Sequence, residues 1–163
     1  METSTNGLSF ISKHEGWSAT AYMDANDGWT IGFGHLIQEP AESYLINKTI
    51  TKYEGLALMR ADTSFAASVI RSNVKPPLNQ NQFDALVSLV YNIGIDLFKN
   101  STVLKRINSM DTPERISEAW KRFNKDDGKV LAGLVKRRAE EVELYYSDPD
   151  LKKKFLSQSE ELS

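Results

Sequence analysis

The 163-residue chain reads as an α+β fold, with a small N-terminal lobe carrying a β-hairpin and a larger all-helical lobe joined to it by a long helix. Three observations predict this. Strand-like alternation is confined to residues 20–35, around the turn signal Asn26-Asp27-Gly28. Apolar residues at helical spacing dominate the chain after residue 50. Thr51-Lys52-Tyr53-Glu54 has the form of a capping box and opens an unbroken helical run to about Asn73. Together they predict one domain over 1–163: a lobe at about 1–50, the connecting helix 51–73, the helical lobe 74–157 and a frayed tail 158–163.

The elements follow in order. Leu8, Phe10 and Ile11 predict a short helix over 8–15, with Gly16 suited to a left-handed ending. Residues 20–35 predict a hairpin or small meander. In its second run Trp29, Ile31, Phe33 and His35 fall on one face, and Thr30, Gly32 and Gly34 on the other. That second face is nearly bare backbone around one hydroxyl; it suits close approach of a ligand, or a bulged hairpin, equally well. Residues 36–50 read as loop. The connecting helix should bury Leu58, Ala61, Phe65 and Val69, and Pro76-Pro77 stops it.

Asn79-Gln80-Asn81-Gln82 caps the most apolar helix, with Phe83, Leu86, Val87, Val90 and Tyr91 inside and Gly94 at its end. Ser101 caps a short helix through Ile107, and Thr112-Pro113-Glu114 starts another to about Phe123. Asn124 to Lys129 reads as a polar turn. Leu131 to Tyr146 reads as a helix burying Leu134, Ala139, Val142 and Tyr145, and Asp148-Pro149 as the cap of a last helix.

Composition narrows the function. There are no cysteines, so disulfides, thiolate metal sites and a Cys nucleophile are excluded. Two histidines cannot build a His-rich zinc site, and neither metal nor cofactor is expected. No apolar run spans a membrane, and residues 1–7 lack the pattern of a secretory signal. Net charge is −2, split into −4 over residues 1–70, +4 over 71–157 and −2 in the tail 158–163. A basic half could attract an anionic polymer, or be ordinary helix-surface charge. No nucleic-acid motif occurs, and the absence of a long exposed apolar stripe predicts a monomer.

Glu15, Asp24 and Thr30 carry the chemical signal. A helix end brings the first and a glycine-rich hairpin the other two, so two carboxylates and a hydroxyl should meet in one cleft. Hydrolysis of a glycosidic bond needs such a set: a proton donor for the leaving oxygen, a negative charge and a held water. Glu15 closes an apolar helix, where Trp17 and Tyr22 would shield it. Asp24, beside an open turn, would stay ionised, and the Thr30 hydroxyl can hold water.

The runs His14-Glu15-Gly16, Ala21-Tyr22-Met23-Asp24 and Gly28-Trp29-Thr30-Ile31-Gly32-Phe33-Gly34-His35 resemble the phage-type lysozymes, glycoside hydrolase family 24. Asn79 to Gly94 is similar to that family's central helix, and Gly133-Leu134-Val135-Lys136-Arg137-Arg138-Ala139-Glu140-Glu141 to its arginine block. The resemblance covers about residues 8–146 and implies a lysozyme-like fold without cofactor. It implies a muramidase acting on peptidoglycan in bacterial lysis. Glu15 matches the catalytic acid, Asp24 the second carboxylate and Thr30 the water-positioning threonine. Gly32, Leu36, Tyr91, Asn92 and Ser101 fall where the family contacts sugars. His35 would bond a carboxylate in the other lobe, and Arg137 or Arg138 would pair with Glu15 or a neighbour. Synthesis in the host cytoplasm, then release through a holin-type pore or delivery inside a particle, is implied as well. The slightly acidic chain departs from the basic character of many members.

Overall fold

The computed structural model describes residues 1–25 and 27–150. Helix α1 (Thr5–His14) is followed by strands β1 (Ser18–Asp24), β2 (Gly28–Gly32) and β3 (His35–Leu36), which form an antiparallel sheet in that order. A 3-10 turn over Ser43–Asn47 leads to α2 (Lys52–Asn73). The remaining elements are α3 (Gln80–Ile93), α4 (Ile95–Lys99), α5 (Thr102–Asn108), α6 (Pro113–Lys121), the two-residue strands β4 (Lys125–Asp126) and β5 (Lys129–Val130), and α7 (Ala132–Tyr146). The lysozyme-like α+β architecture expected from the sequence is present. Among the described residues no helix is long and apolar enough to cross a membrane.

Helix starts follow their caps. The side chains of Ser4, Thr51, Asn79, Ser101 and Thr112 each accept a backbone N–H of the first turn. These bonds satisfy donors that a helix start leaves without partners. Asn79 and Gln82 form a reciprocal capping box. α1 begins earlier than predicted because Ser4 supplies that cap. It ends without a left-handed glycine: Glu15 is extended at φ −100° and ψ 146°. Residues 1–4 are sewn to the helical body. Ser4 donates from N and Oγ to the Asp84 carboxylate, Arg60 donates to the Thr3 carbonyl, and Arg71 donates to the Met1 carbonyl.

Two buried clusters form. Ile31, Ile37, Leu45 and Ile50 lie beneath the sheet, while the larger core joins α1, α2, α3 and the C-terminal helices around Phe83, Leu86, Phe98 and Trp120. The expected faces of β2 do not survive. The strand stops at Gly32, and positive φ at Gly32 (68°) and Gly34 (87°) turns the chain. Ile31 therefore enters the small cluster and Phe33 the large one, 4.7 Å ring to ring from Trp17. Thr30 and Gly32 are themselves buried, and Gly32 packs beside Ile50 and Gly55. That face is thus not bare backbone.

Other expectations shift. On α2 the buried residues are Gly55, Met59, Thr63, Ala66, Ala67 and Ile70. Ala61 and Phe65 are exposed, Phe65 by 72%. The stripe lies about one residue out of phase because small residues, which a search for large apolar ones passes over, meet α3. On α7 Ala139 is exposed, and Arg137, Arg138 and Glu141 take the inside with Val142 and Tyr145. α4 and the β4–β5 hairpin were not foreseen. Asp127 and Gly128 supply the hairpin's positive φ values. The Asn26-Asp27-Gly28 turn signal begins on a residue outside the described ones. The helix after Pro149 and the tail 158–163 lie outside them too.

Gly55 marks the tightest approach between α2 and the sheet: a Cβ there would run into Trp17 and stand 3.4 Å from Phe33. Gly55→Ala should therefore lose about 1–3 kcal/mol of stability despite alanine's better helix propensity. Denaturant unfolding checks this; a more stable variant would overturn it.

Candidate active site

Glu15 leaves the end of α1 in extended conformation and meets α7. Arg137 Nη1 donates to Glu15 Oε1 at 2.7 Å. The arginine side chain is 4% exposed and that of Glu15 23%. On its other side the carboxyl borders Gly34, whose absent Cβ would stand 3.9 Å from Oε2. One flank is thus fixed by a buried cation and another borders an exposed glycine. The predicted shield differs. Trp17 packs on Phe33 and Gly55, and Tyr22 is exposed.

The Arg137 guanidinium is itself held. Its Nε donates to Glu141 Oε1 at 3.2 Å, and Nη2 reaches the Ser88 carbonyl and Oγ at 3.3 Å. Glu141 also accepts from Ser88 Oγ at 2.7 Å, Trp120 Nε1 at 2.9 Å and Arg138 Nη2 at 2.9 Å. Glu141 and Arg138 are fully buried. Of the two arginines proposed from sequence, Arg137 grips Glu15 and Arg138 grips Glu141. Ser88, Trp120 and Glu141 were missed. A signal existed: Arg137, Arg138 and Glu141 occupy the phase of α7 that Leu134, Val142 and Tyr145 mark as inward.

Asp24 ends β1 opposite Gly28, and Tyr22 lies opposite Thr30. Directly opposed residues of an antiparallel pair share a face, so Asp24 and Thr30 project from the same side of the sheet. Gly28, at φ 102°, tightens that corner, and Thr30 Oγ1 donates to the Gly28 carbonyl at 3.2 Å.

His35 closes β3 and joins two carboxylates. Nδ1 lies 2.8 Å from Asp62 Oδ2 on α2, and Nε2 lies 2.8 Å from Glu42 Oε2. The expected carboxylate bond exists, but with the connecting helix and the chain just beyond the sheet. The hydrogen bond that His35 donates to the Asp62 carboxylate is the main cause that raises the His35 pKa to about 9; burial opposes it and Glu42 adds to it. Burial pushes Glu42 up, but the Gln38 N–H and His35 outweigh it and hold that carboxyl below its usual range. His14, 2.8 Å from Glu140, is lowered by burial and by Arg137.

Tyr91 lies between these groups. Burial raises its phenol pKa, and the Asp62 and Glu15 carboxylates push the same way. Asn92 and Leu36 are exposed. Asn92 lines a cavity of ≈ 360 Å³ with Ile93, Leu97, Phe123, Lys125, Asp126, Leu131 and Leu134. Ser101 is 5% exposed and its Oγ accepts from Leu104 N, so its hydroxyl caps α5. Gly32 is likewise enclosed. Both take part in the packing and capping of the fold.

A small antiparallel sheet set on a helical body, with a carboxyl group clamped between them, is a lysozyme-like architecture. Residues 12–141 match the family model described as phage lysozyme. An endolysin of Acyrthosiphon pisum secondary endosymbiont phage 1 is 36% identical over 151 residues, covering 90% of this chain and 99% of that one. The endolysin of Salmonella phage P22 is 36% identical over 142 residues, covering 85% and 97%. A crystal structure of a P22 lysozyme mutant superposes with a TM-score of 0.79 at 35% identity, covering 90% of this chain and 99% of that one. The chain belongs to the phage lysozyme family of glycoside hydrolases.

The His35 cluster predicts a pH-dependent stability. Its folded pKa of about 9 exceeds the ordinary 6.5, so its contribution is complete below pH 6.5 and is lost as pH rises through about 9. With partly exposed carboxylate partners, that contribution should be about 2–3 kcal/mol. Unfolding free energies of wild type and His35→Gln should differ by that amount near pH 6 and converge above pH 9. A constant difference across this range would sink the assignment.

Proposed function

We propose that this lysozyme cleaves the β-1,4 bond between N-acetylmuramic acid and N-acetylglucosamine in peptidoglycan, by single displacement with inversion, in phage-linked cell lysis. The observation that carries this is Glu15: a carboxyl oriented at 2.7 Å by a buried arginine and bordered by Gly34 on its other flank. A fixed carboxyl of this kind can deliver a proton along one line to a leaving oxygen, which is the demanding part of glycoside cleavage.

Asp24 and Thr30 share one face of the sheet, where a carboxylate and a hydroxyl would hold and polarise a water between them. That water attacks the anomeric carbon as Glu15 protonates the departing sugar. The carboxylate of Asp24 also offsets the positive charge that develops on the ring. Asp24 and Glu15 would stand roughly 6.5–9.5 Å apart across the bound sugar, leaving space for the water. Leu36, Tyr91 and Asn92 would line the groove. Peptidoglycan as substrate rests on family membership and on the relatives named endolysins. The protein would act on the host wall once released or delivered to it, as a monomer.

Glu15→Gln keeps the shape of the site and removes the transferable proton. Its rate of clearing purified peptidoglycan should fall by roughly 100- to 10,000-fold, the usual contribution of a general acid. A variant that clears walls at the wild-type rate would end the reading of Glu15 as acid. The stereochemistry has its own readout. Proton NMR of the first-formed reducing sugar should show the α-anomer, whereas a β-anomer would replace the held water with a covalent Asp24 intermediate.

A further inference from the structure

We propose that Glu141 is a positioning residue for the catalytic acid: a standing counter-ion that lets buried Arg137 keep its grip on Glu15 while Glu15 carries a proton. The proposal rests on Glu15 being the acid.

The argument begins with a conflict. Arg137 is 3% exposed. A buried guanidinium with Glu15 as its sole anionic partner would hold Glu15 ionised, because protonating the carboxyl would strand the cation. An acid, however, must hold its proton until the leaving oxygen takes it. One arginine therefore orients the group and opposes its task at once.

Glu141 removes the conflict. It touches Arg137 through Nε, at the opposite end of the guanidinium from the Nη1 that holds Glu15. When Glu15 is protonated, Arg137 still faces an anion 3.2 Å away. Glu141 in turn accepts from Ser88 Oγ, Trp120 Nε1 and Arg138 Nη2, a set of donors that suits a charged acceptor. Arg138 balances it in turn, its Nε 2.8 Å from Glu141 Oε2. The buried set of two arginines and two glutamates is neutral with Glu15 ionised. With Glu15 protonated it carries one positive charge spread over two guanidiniums around a fixed anion.

The remaining groups around the site do not substitute for Glu141. His14 of α1 faces Glu140 and is shifted toward its neutral form. Glu140 is partly exposed and also lies 3.9 Å from Lys136. Tyr91 of α3 is neutral, and Asp62 of α2 is engaged by His35. Among the described residues, Glu141 alone gives Arg137 a second carboxylate.

The test is Glu141→Gln, which preserves the shape and one of the two acceptor oxygens but deletes the charge. Following the Glu15 carboxyl by 13C NMR, its titration midpoint should move to lower pH by about one unit or more. The basic limb of the kcat/KM profile on peptidoglycan should move with it, giving about tenfold lower activity on that limb. An unmoved midpoint in the folded variant overturns the proposal, since a purely structural Glu141 would alter stability alone.

Should Glu141→Gln fail to fold, the double variant Arg138→Met with Glu141→Gln decides. It removes one charge of each sign and leaves Arg137 facing Glu15. The midpoint should again move down; a rise or no change rejects the counter-ion. The NMR midpoint needs no turnover. Its failure is therefore separable from a failure of Glu15 as acid, which the Glu15→Gln clearing assay reads.

Discussion

The contact between Arg137 and Glu15 is the constraint on which the site depends. It joins residues 122 positions apart in sequence and fastens the end of α1 to the middle of α7. Neither helix could supply it alone. Buried charge is destabilising unless fully partnered, and truncating one member leaves the other stranded. The core here accommodates the requirement: Ser88, Trp120, Arg138 and Glu141 exist in the helical body largely as partners to one another. α3, α6 and α7 carry them, so that a polar knot sits within the apolar core. The result is an acid whose position is inherited from the most buried part of the molecule.

A second ionic tie works differently. His35, Asp62 and Glu42 lie closer to solvent and link the sheet, the chain beyond it and α2. Its strength follows pH because the cation is an imidazole. The Arg137 cation has no such switch, since a guanidinium stays charged. One tie holds the end of α1 to α7, and the other fixes the sheet to α2 under acidic and neutral conditions. Gly55 lets Trp17 close against α2 between them.

The fold was largely legible because its punctuation is local. Thr51, Asn79, Ser101 and Thr112 each mark a helix start through a bond spanning three residues, and such bonds can be read from sequence. The phase of α2 was not legible in this way. Its inner face is chosen by close approach to α3, which favours Ala66 and Ala67 and leaves Phe65 outside. Glu15, Asp24 and Thr30 stood out because their motifs are compact. Asp62 and Glu141 did not, since an acidic residue on a helix ordinarily faces water, and its partners here come from distant segments. Gly32 and Ser101 add a further point: their burial, against Ile50 and Gly55 for the one and as the cap of α5 for the other, depends on contacts that the motif around them does not spell out.

The stitching of residues 1–4 has a mechanical meaning for the acid. α1 has ten residues, so it spans about 15 Å from Ser4 to the turn that carries Glu15. One end is pinned by Ser4 on Asp84 and the other by Glu15 on Arg137. The helix behaves as a short beam clamped at both supports, unable to slide along its axis or roll without breaking an ionic contact. The lateral play of the carboxyl is thereby governed in part by an extended strap at the far side of the molecule. An alteration to the first few residues would be felt as looser placement of the Glu15 carboxyl, although that strap lies at the other end of the helix.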